Sequence, residues 1–342
     1  MAKAKVKKKK KKNTILGLDL GTQAIKAVEM TRTGEELAIT SCSYEEVEDP
    51  AAYDESIRAV IEAGALNTKR VVIGFSGRST LLQSMTIPGD RADDVEMAVL
   101  EEAEKYIPYD IGEAQIDYHV FENEHSRQLK VLMAAVRQSD IEDKLEIIFN
   151  AGITPMQIDV ELVALANAFE TANADDFFVP KGEPVGLVDF GASKTLITIT
   201  DGTNHIFREF PVGGIALTEM VAQRMGCDME QAESMKREPG EDVDTVKDAI
   251  YPGIEDITAE IRSCVEQFKG ASGGKEPSVL MLSGGLVAFS GVTPLIGNLT
   301  RMETRIFDSF GAVDSSELDE EFIGSHAHEF SVAFGLACHA SE

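Results

Sequence analysis

Ile15-Leu16-Gly17-Leu18-Asp19-Leu20-Gly21-Thr22-Gln23 is an apolar run that ends in Asp-x-Gly-Thr, and Val185-Gly186-Leu187-Val188-Asp189-Phe190-Gly191-Ala192-Ser193 repeats it. Asp189 follows Asp19 by 170 positions, as Gly191 follows Gly21, which is about half of the 342 residues. Each copy leads into an alternating run, Ile25 to Met30 and Thr195 to Thr200. A turn follows (Thr33-Gly34, Asp201-Gly202), then a third run, Leu37 to Cys42 and His205 to Phe210. The pattern predicts a β-meander opening each of two like halves, its first turn tightened by glycine.

The chemistry of that turn points to phosphate. Glycine lets the backbone approach an anion and aim its N–H groups at it. Thr22, Gln23, Ser193 and Thr195 add side-chain donors, and Lys26 and Lys194 add positive charge. An aspartate at the strand end repels phosphate, so Asp19 and Asp189 are left the task of holding a hydrated Mg²⁺ or orienting a water. A third glycine cluster points the same way. The buried-type run Pro277 to Leu282 ends in Ser283-Gly284-Gly285, and a helical stretch reaches Leu299. Gly213-Gly214 closes the third strand of the second half and opens a helix from Ile215 to Met225, whose N-terminal N–H groups are a further anion site. These clusters converge only if the two halves face each other across a cleft. P-loop and dinucleotide-binding folds fit the sequence poorly. Gly270 to Lys275 has the wrong glycine spacing for a P-loop and is followed by Glu276, and no Gly-x-Gly-x-x-Gly opens a helix after a strand.

Composition narrows the class. Hydrophobic residues make up 43% and charged residues 27% of the chain, the balance of a globular protein, and no apolar run approaches a membrane span. The basic N-terminus is followed by no apolar segment of the signal-peptide type. Four cysteines stand far apart and form no metal or redox pair, so a cytoplasmic chain with reduced thiols is expected. His326 and His328 are two positions apart and cannot share a helix face. His119 and His205, both in strands, are expected to be cross-strand neighbours. The net charge is −27, yet eight lysines crowd the first twelve positions, leaving 24 basic against 59 acidic residues in the rest. A body that acidic repels nucleic acid, whereas residues 1–12 read as a disordered lysine tail drawn to anionic lipid headgroups.

Between the two repeats an extra block interrupts the first half. It comprises a strand (Leu81 to Ile87), a helix (Ala92 to Tyr106), two alternating strands (Ile116 to Phe121, Leu129 to Val136) and a helix (Ile141 to Ala151). The expected organisation is the tail 1–12, the first half at 13–78 and 153–183, the β-α-β-β-α insertion at 79–152, and the second half at 184–342.

The paired Asp-x-Gly meanders and the late Ser-Gly-Gly resemble the actin, Hsp70 and sugar-kinase superfamily. Within it the chain is similar to the PilM family of type IV pilus assembly, a relative of FtsA. The likeness runs from residue 13 to 338 and rests on an ordered set of stretches. These are Gly17 to Thr22 with Lys26 to Glu29, Met85-Thr86-Ile87-Pro88, Tyr106-Ile107-Pro108-Tyr109, Asp159 to Phe169, and Val188 to Thr195. Phe207-Arg208 through Gly213-Gly214 to Leu217-Thr218, and then Ala232 to Lys236, complete the set. The resemblance implies an α/β actin-like ATPase fold, with two duplicated halves around a nucleotide cleft. It implies ATP with Mg²⁺ as the ligand. Gly21, Thr22, Gln23 and Lys26 would meet phosphate from one side, and Gly191, Ser193, Thr195, Gly213 and Gly214 from the other. Glu233 and Lys236 would reach ribose or base, Gly284 and Gly285 would underlie the nucleoside, and Asp19 and Asp189 would hold the metal. For hydrolysis Asp189, Asp159 and Glu161 are the candidates, with Asp189 and Asp159 preferred. No glutamine stands between Asp159 and Phe169, where actin has one. The expected function is an ATP-binding scaffold, peripheral at the inner face of the cytoplasmic membrane. It would bind the cytoplasmic N-terminal segment of a PilN-type bitopic protein, with pilus motor ATPases and further copies of itself as other partners. The alternatives are a sugar or carboxylate kinase and an FtsA-like division protein. The latter would carry a C-terminal amphipathic membrane helix, for which the residues up to Glu342 offer no candidate.

Overall fold

A computed structural model describes residues 12–66, 68–88, 95–121, 128–174, 176–289 and 291–341; apart from Lys12, the lysine tail lies outside the described residues. The first half opens with β1 (Lys12–Leu20), β2 (Ala24–Thr33) and β3 (Glu36–Glu46), an antiparallel meander. α1 (Tyr53–Ala63) leads to β4 (Val71–Phe75), parallel to β1. β8 (Gln157–Val160) then adds to β4, giving the order β3-β2-β1-β4-β8. The second half repeats this plan. β9 (Val185–Phe190), β10 (Thr195–Thr200) and β11 (His205–Phe210) form the meander, and β12 (Val279–Gly284) and β13 (Glu303–Ile306) extend it in parallel. The order is β11-β10-β9-β12-β13. The duplicated motif is therefore a duplicated sheet, with each Asp-x-Gly at the turn from the central strand into the meander.

The insertion carries β5 (Leu81–Pro88), α2 (Val95–Ala103), β6 (Ala114–Phe121) and β7 (Gln128–Arg137), paired β5-β7-β6 over a small core of Met85, Val99, Val131 and Met133. α3 (Gln138–Asn150) follows β7 with no residue between. The sequence reading groups this helix with the insertion, but its Ile148 is buried beside Leu16, Ile57 and Ile73 of the first half. Phe121 lies between His119 and His205, with ring centroids 4.9 and 5.1 Å away. The two histidines are thus not cross-strand partners: they stand in different sheets and meet through that ring.

The strands of each sheet send alternate residues to different cores, as a buried strand must. Val185 and Leu187 face a central core, whereas Val188 and Phe190 face an outer one with α5 (Gly214–Met225) and α7 (Val243–Ala271). The central core is filled by α4 (Glu161–Ala172) and α10 (Ser331–Ala337), on which both sheets pack. These two helices meet almost backbone to backbone. A Cβ on Gly335 would stand 1.8 Å from the Ala164 carbonyl oxygen, and one on Gly17 of β1 would stand 2.1 Å from that of Ala333. No side chain relieves an overlap with backbone atoms on both sides.

Gly324 is the natural control. It lies in α9 (Glu320–His326) with open space where a Cβ would go. Gly335→Ala is expected to lower unfolding stability in urea by about 3 kcal/mol or more. Gly324→Ala is expected to raise it by up to about 1 kcal/mol through helix propensity. Equal effects in the two variants would contradict the packing described.

Candidate functional site

The two Asp-x-Gly turns face each other across a cavity of about 600 Å³ between the halves. That is within the ordinary range for a small-molecule site. Of the residues singled out above, Asp19, Gly21, Thr22, Gln23, Lys26, Asp189, Gly191, Ser193, Gly214, Glu233, Lys236, Gly284 and Gly285 line it. The Thr22 and Ser193 hydroxyls, one from each turn, lie 3.1 Å apart. Gly284 adopts φ +85°, and a Cβ there would collide with the Phe190 backbone at 2.4 Å. Gly285 is exposed and meets nothing closer than the Glu329 carboxylate at 3.7 Å. The strand β12 thus turns sharply and presents bare backbone to the cavity.

Three expected residues are placed otherwise. Asp159 is not among the cavity residues: its carboxylate accepts hydrogen bonds from its neighbour's amide in Val160 (2.7 Å) and from Asn167 (3.5 Å), and it lies 3.1 Å from His339. Strand alternation does not run through this segment, because β8 stops at Val160 and α4 starts at Glu161. The helical turn sends Glu161 to the cleft instead. Thr195 is fully buried and donates to the Val212 carbonyl at 2.7 Å, so it braces the loop rather than facing a ligand. Gly213 is wedged against the backbone of Gly191, Ala192 and Lys194, closer than a Cβ permits, and holds that loop to the start of α5. Three further cleft residues carry no sequence motif. Ser76, at the end of β4, receives the Lys194 ammonium, Lys144 enters from α3, and Glu329 stands under Gly285.

Charges set the electrostatics of the cleft. Glu161 is buried and pairs with Lys194 at 2.9 Å, across the two halves, while Glu209 sits 3.5 Å from the same ammonium. Burial works against the Glu161 charge, but Lys194 and Lys144 outweigh it and hold the carboxyl below its ordinary range. Asp19, 3.7 Å from Lys26, is pushed up by burial in spite of that partner. Asp189 accepts a hydrogen bond from Ser283 at 2.8 Å, yet burial pushes it up to about 6. Lys236 is buried, donates to the Gly214 carbonyl (3.1 Å) and Thr218 (2.7 Å), and pairs with Glu233. Burial lowers its ammonium below the usual lysine range. Asp19 and Asp189 are two buried carboxylates on matching turns, beside hydroxyls and ammonium groups. That donor set fits a hydrated Mg²⁺ accompanied by phosphate rather than a bare metal cage. Among the described residues no group of three or more His, Cys, Asp or Glu side chains converges on a point.

Residues 17–341 match the family described as Type IV pilus assembly protein PilM. The chain belongs to the PilM family. A solved structure described as a PilM-PilN type IV pilus biogenesis complex is 26% identical, covers 96% of this chain and 98% of that one, and superposes with a TM-score of 0.82. Two more distant structures share the fold, each covering 96% of this chain. The ethanolamine utilization protein EutJ from Carboxydothermus hydrogenoformans (13% identity, 89% of that chain) and a nucleotide-free diol dehydratase-reactivating factor (10%, all of that chain) both give a TM-score of 0.56. The actin-like fold and the place in type IV pilus assembly follow for this PilM-family chain, and the match does not favour the kinase and division-protein alternatives. Among the described residues no helix is long and apolar enough to cross a membrane.

The raised pKa of Asp189 has a testable sign in this PilM-family protein. Between pH 4 and 6 the folded state keeps a proton that the unfolded state has lost, so stability falls as pH rises through that window. Asp189→Asn is expected to be more stable than wild type above pH 6 by up to about 3 kcal/mol. The difference should vanish below pH 4. Urea melts across this range check it, and a variant less stable than wild type at pH 7 would reverse the assignment.

Proposed function

We propose that this protein is an ATP-binding scaffold of the type IV pilus inner-membrane platform, holding the cytoplasmic N-terminal segment of a PilN-type membrane protein. Support for the nucleotide comes from one observation above the others: two like turns, each with a buried aspartate and an exposed hydroxyl, meet across a cavity whose far wall is bare glycine backbone. Phosphate with Mg²⁺ would occupy the space between Asp19, Thr22, Lys26, Asp189, Ser193 and Lys194. Glu233 and Lys236 on α6 (Met229–Arg237), with Gly284 and Gly285, would take the nucleoside. When bound, the Mg-triphosphate supplies a competing anion for Lys194 and a counter-charge for the two aspartates. The Glu161 carboxylate is tied to Lys194 and Ser76, an arrangement that does not free it to orient an attacking water. The ligand therefore acts first through binding, which stabilises the closed arrangement by mass action.

The partner segment has a candidate seat. A second, more open cavity of about 370 Å³ lies where α1 and α3 meet the end of β4, lined by Leu20, Tyr53, Phe75, Asp140, Lys144 and Ile147 among others. Its apolar walls and acidic rim suit a short segment with apolar side chains and a basic group. Membrane recruitment would follow from the partner, reinforced by the lysine tail.

Calorimetric titration separates these statements. Mg-ATP is expected to bind with micromolar affinity and to lose about tenfold or more in Asp189→Ala. A synthetic peptide of the partner's cytoplasmic N-terminus is expected to bind wild type and fail with Ile147→Asp, which keeps its ATP binding. Absence of any ATP binding would leave the glycine turns a purely structural device.

A further inference from the structure

Lys144 occupies a singular place. Among the described residues it is the one from 79–152 that lines the main cleft, and it lines the second cavity too. Leu20, Ser76 and Gly77 are also shared by the two cavities, but none of them is charged. The Lys144 ammonium sits 5.5 Å above the centre of the Phe75 ring, on the side of the second cavity. Burial is the largest influence on that ammonium and lowers it, Glu161 and Asp19, which line the main cleft with it, favour its charge, and Lys194 opposes it. The backbone behind it is stiff. α3 starts directly after the central strand of the inserted sheet, and its Ile148 is anchored in the first-half core.

We infer that Lys144 is the charge relay between the cleft and the partner groove, moving off the Phe75 ring toward Glu161 when an anion draws Lys194 away. The inference rests on the reading of the two cavities given above. Its logic is a competition for one carboxylate. Without a ligand, Glu161 is paired with Lys194, and Ser76 shares that ammonium. A phosphate beside Ser193 competes for Lys194, which leaves the same loop one residue later. A buried carboxylate left without its partner is costly. Lys144 is the next strongest cation acting on Glu161 after Lys194, so its ammonium is drawn to the cleft and leaves the floor of the groove. Cation–ring attraction, worth about 1 kcal/mol, is too weak to hold it back. The groove floor then loses a positive charge and exposes the Phe75 face. The affinity of the partner segment changes with the contents of the cleft, and by linkage its presence changes ATP affinity by the same factor.

The test is a coupling measurement on the full chain. The dissociation constant of the synthetic partner peptide is measured with and without saturating Mg-ATP, in wild type, Lys144→Met, Lys144→Arg and Glu161→Gln. Wild type is expected to show a change of at least about fivefold, the lower end of ordinary coupling. Lys144→Met and Glu161→Gln are expected to bring the ratio close to one whatever their absolute affinities, and Lys144→Arg to retain part of it. Thermal melts confirm folding, and should Lys144→Met not fold, Glu161→Gln decides. An unchanged ratio in either folded variant overturns the relay. Two ligands that bind wild type without influencing each other overturn it also, while leaving the scaffold reading in place. Failure of wild type to bind ATP or peptide removes that reading, and the relay with it.

Discussion

The approach of α10 to α4 and β1 governs the rest of the molecule. Two five-stranded sheets must back onto the same pair of helices, and they do so because Gly335 admits the Ala164 carbonyl and Gly17 admits that of Ala333. Dispersion falls off steeply with distance, so this contact is worth having only at full closeness. The residues flanking it, Phe307, Phe310, Phe330 and Phe334, are fully or almost fully buried. The first residue of α4 and the second of α10, Glu161 and Val332, reach the cleft directly. The geometry of the site is thus set by a packing constraint in the centre of the chain.

The second theme is tension between burial and charge. Asp19, Glu161 and Asp189 are all removed from water within one cavity, and four lysines accompany them. Neither set would tolerate burial alone. Folding stability is given up at Asp189, whose carboxyl is displaced toward neutrality, and is recovered in part through the Lys194 bridge. An incoming anion or cation would enter that balance directly, because each buried charge there already leans on an opposite one. The exposed pair Arg237 and Glu46, 3.4 Å apart across the rim, adds little by comparison.

Much of this was legible in the residues themselves. The repeat of Asp-x-Gly at half-chain spacing carried the duplicated meanders, and β10 and β11 run over the segments that alternation predicts. What the sequence could not resolve were positions where one residue type serves two roles. Thr195 looks like another phosphate donor beside Ser193, yet the strand begins at that residue and turns its hydroxyl to Val212. Asp159 and Glu161 are equivalent on a strand pattern, and only the change from strand to helix at Val160 separates them. Lys144 lies more than a hundred residues from Asp19 in a block with its own alternation, so no local signal ties it to the cleft. In α7, Pro252 interrupts a good heptad-like series from Val246 to Phe268, since proline withholds a backbone donor and ordinarily ends a helix. Packing of the apolar face on both sides of it overrides that preference.

The glycine-tight crossing of α4 and α10 is also a keystone. It admits no intervening side chain, so both sheets take their spacing from one contact. The turns that line the cleft sit out along those sheets. Mass added at the crossing would therefore displace both walls of the cleft together, as a thickened keystone spreads both sides of an arch.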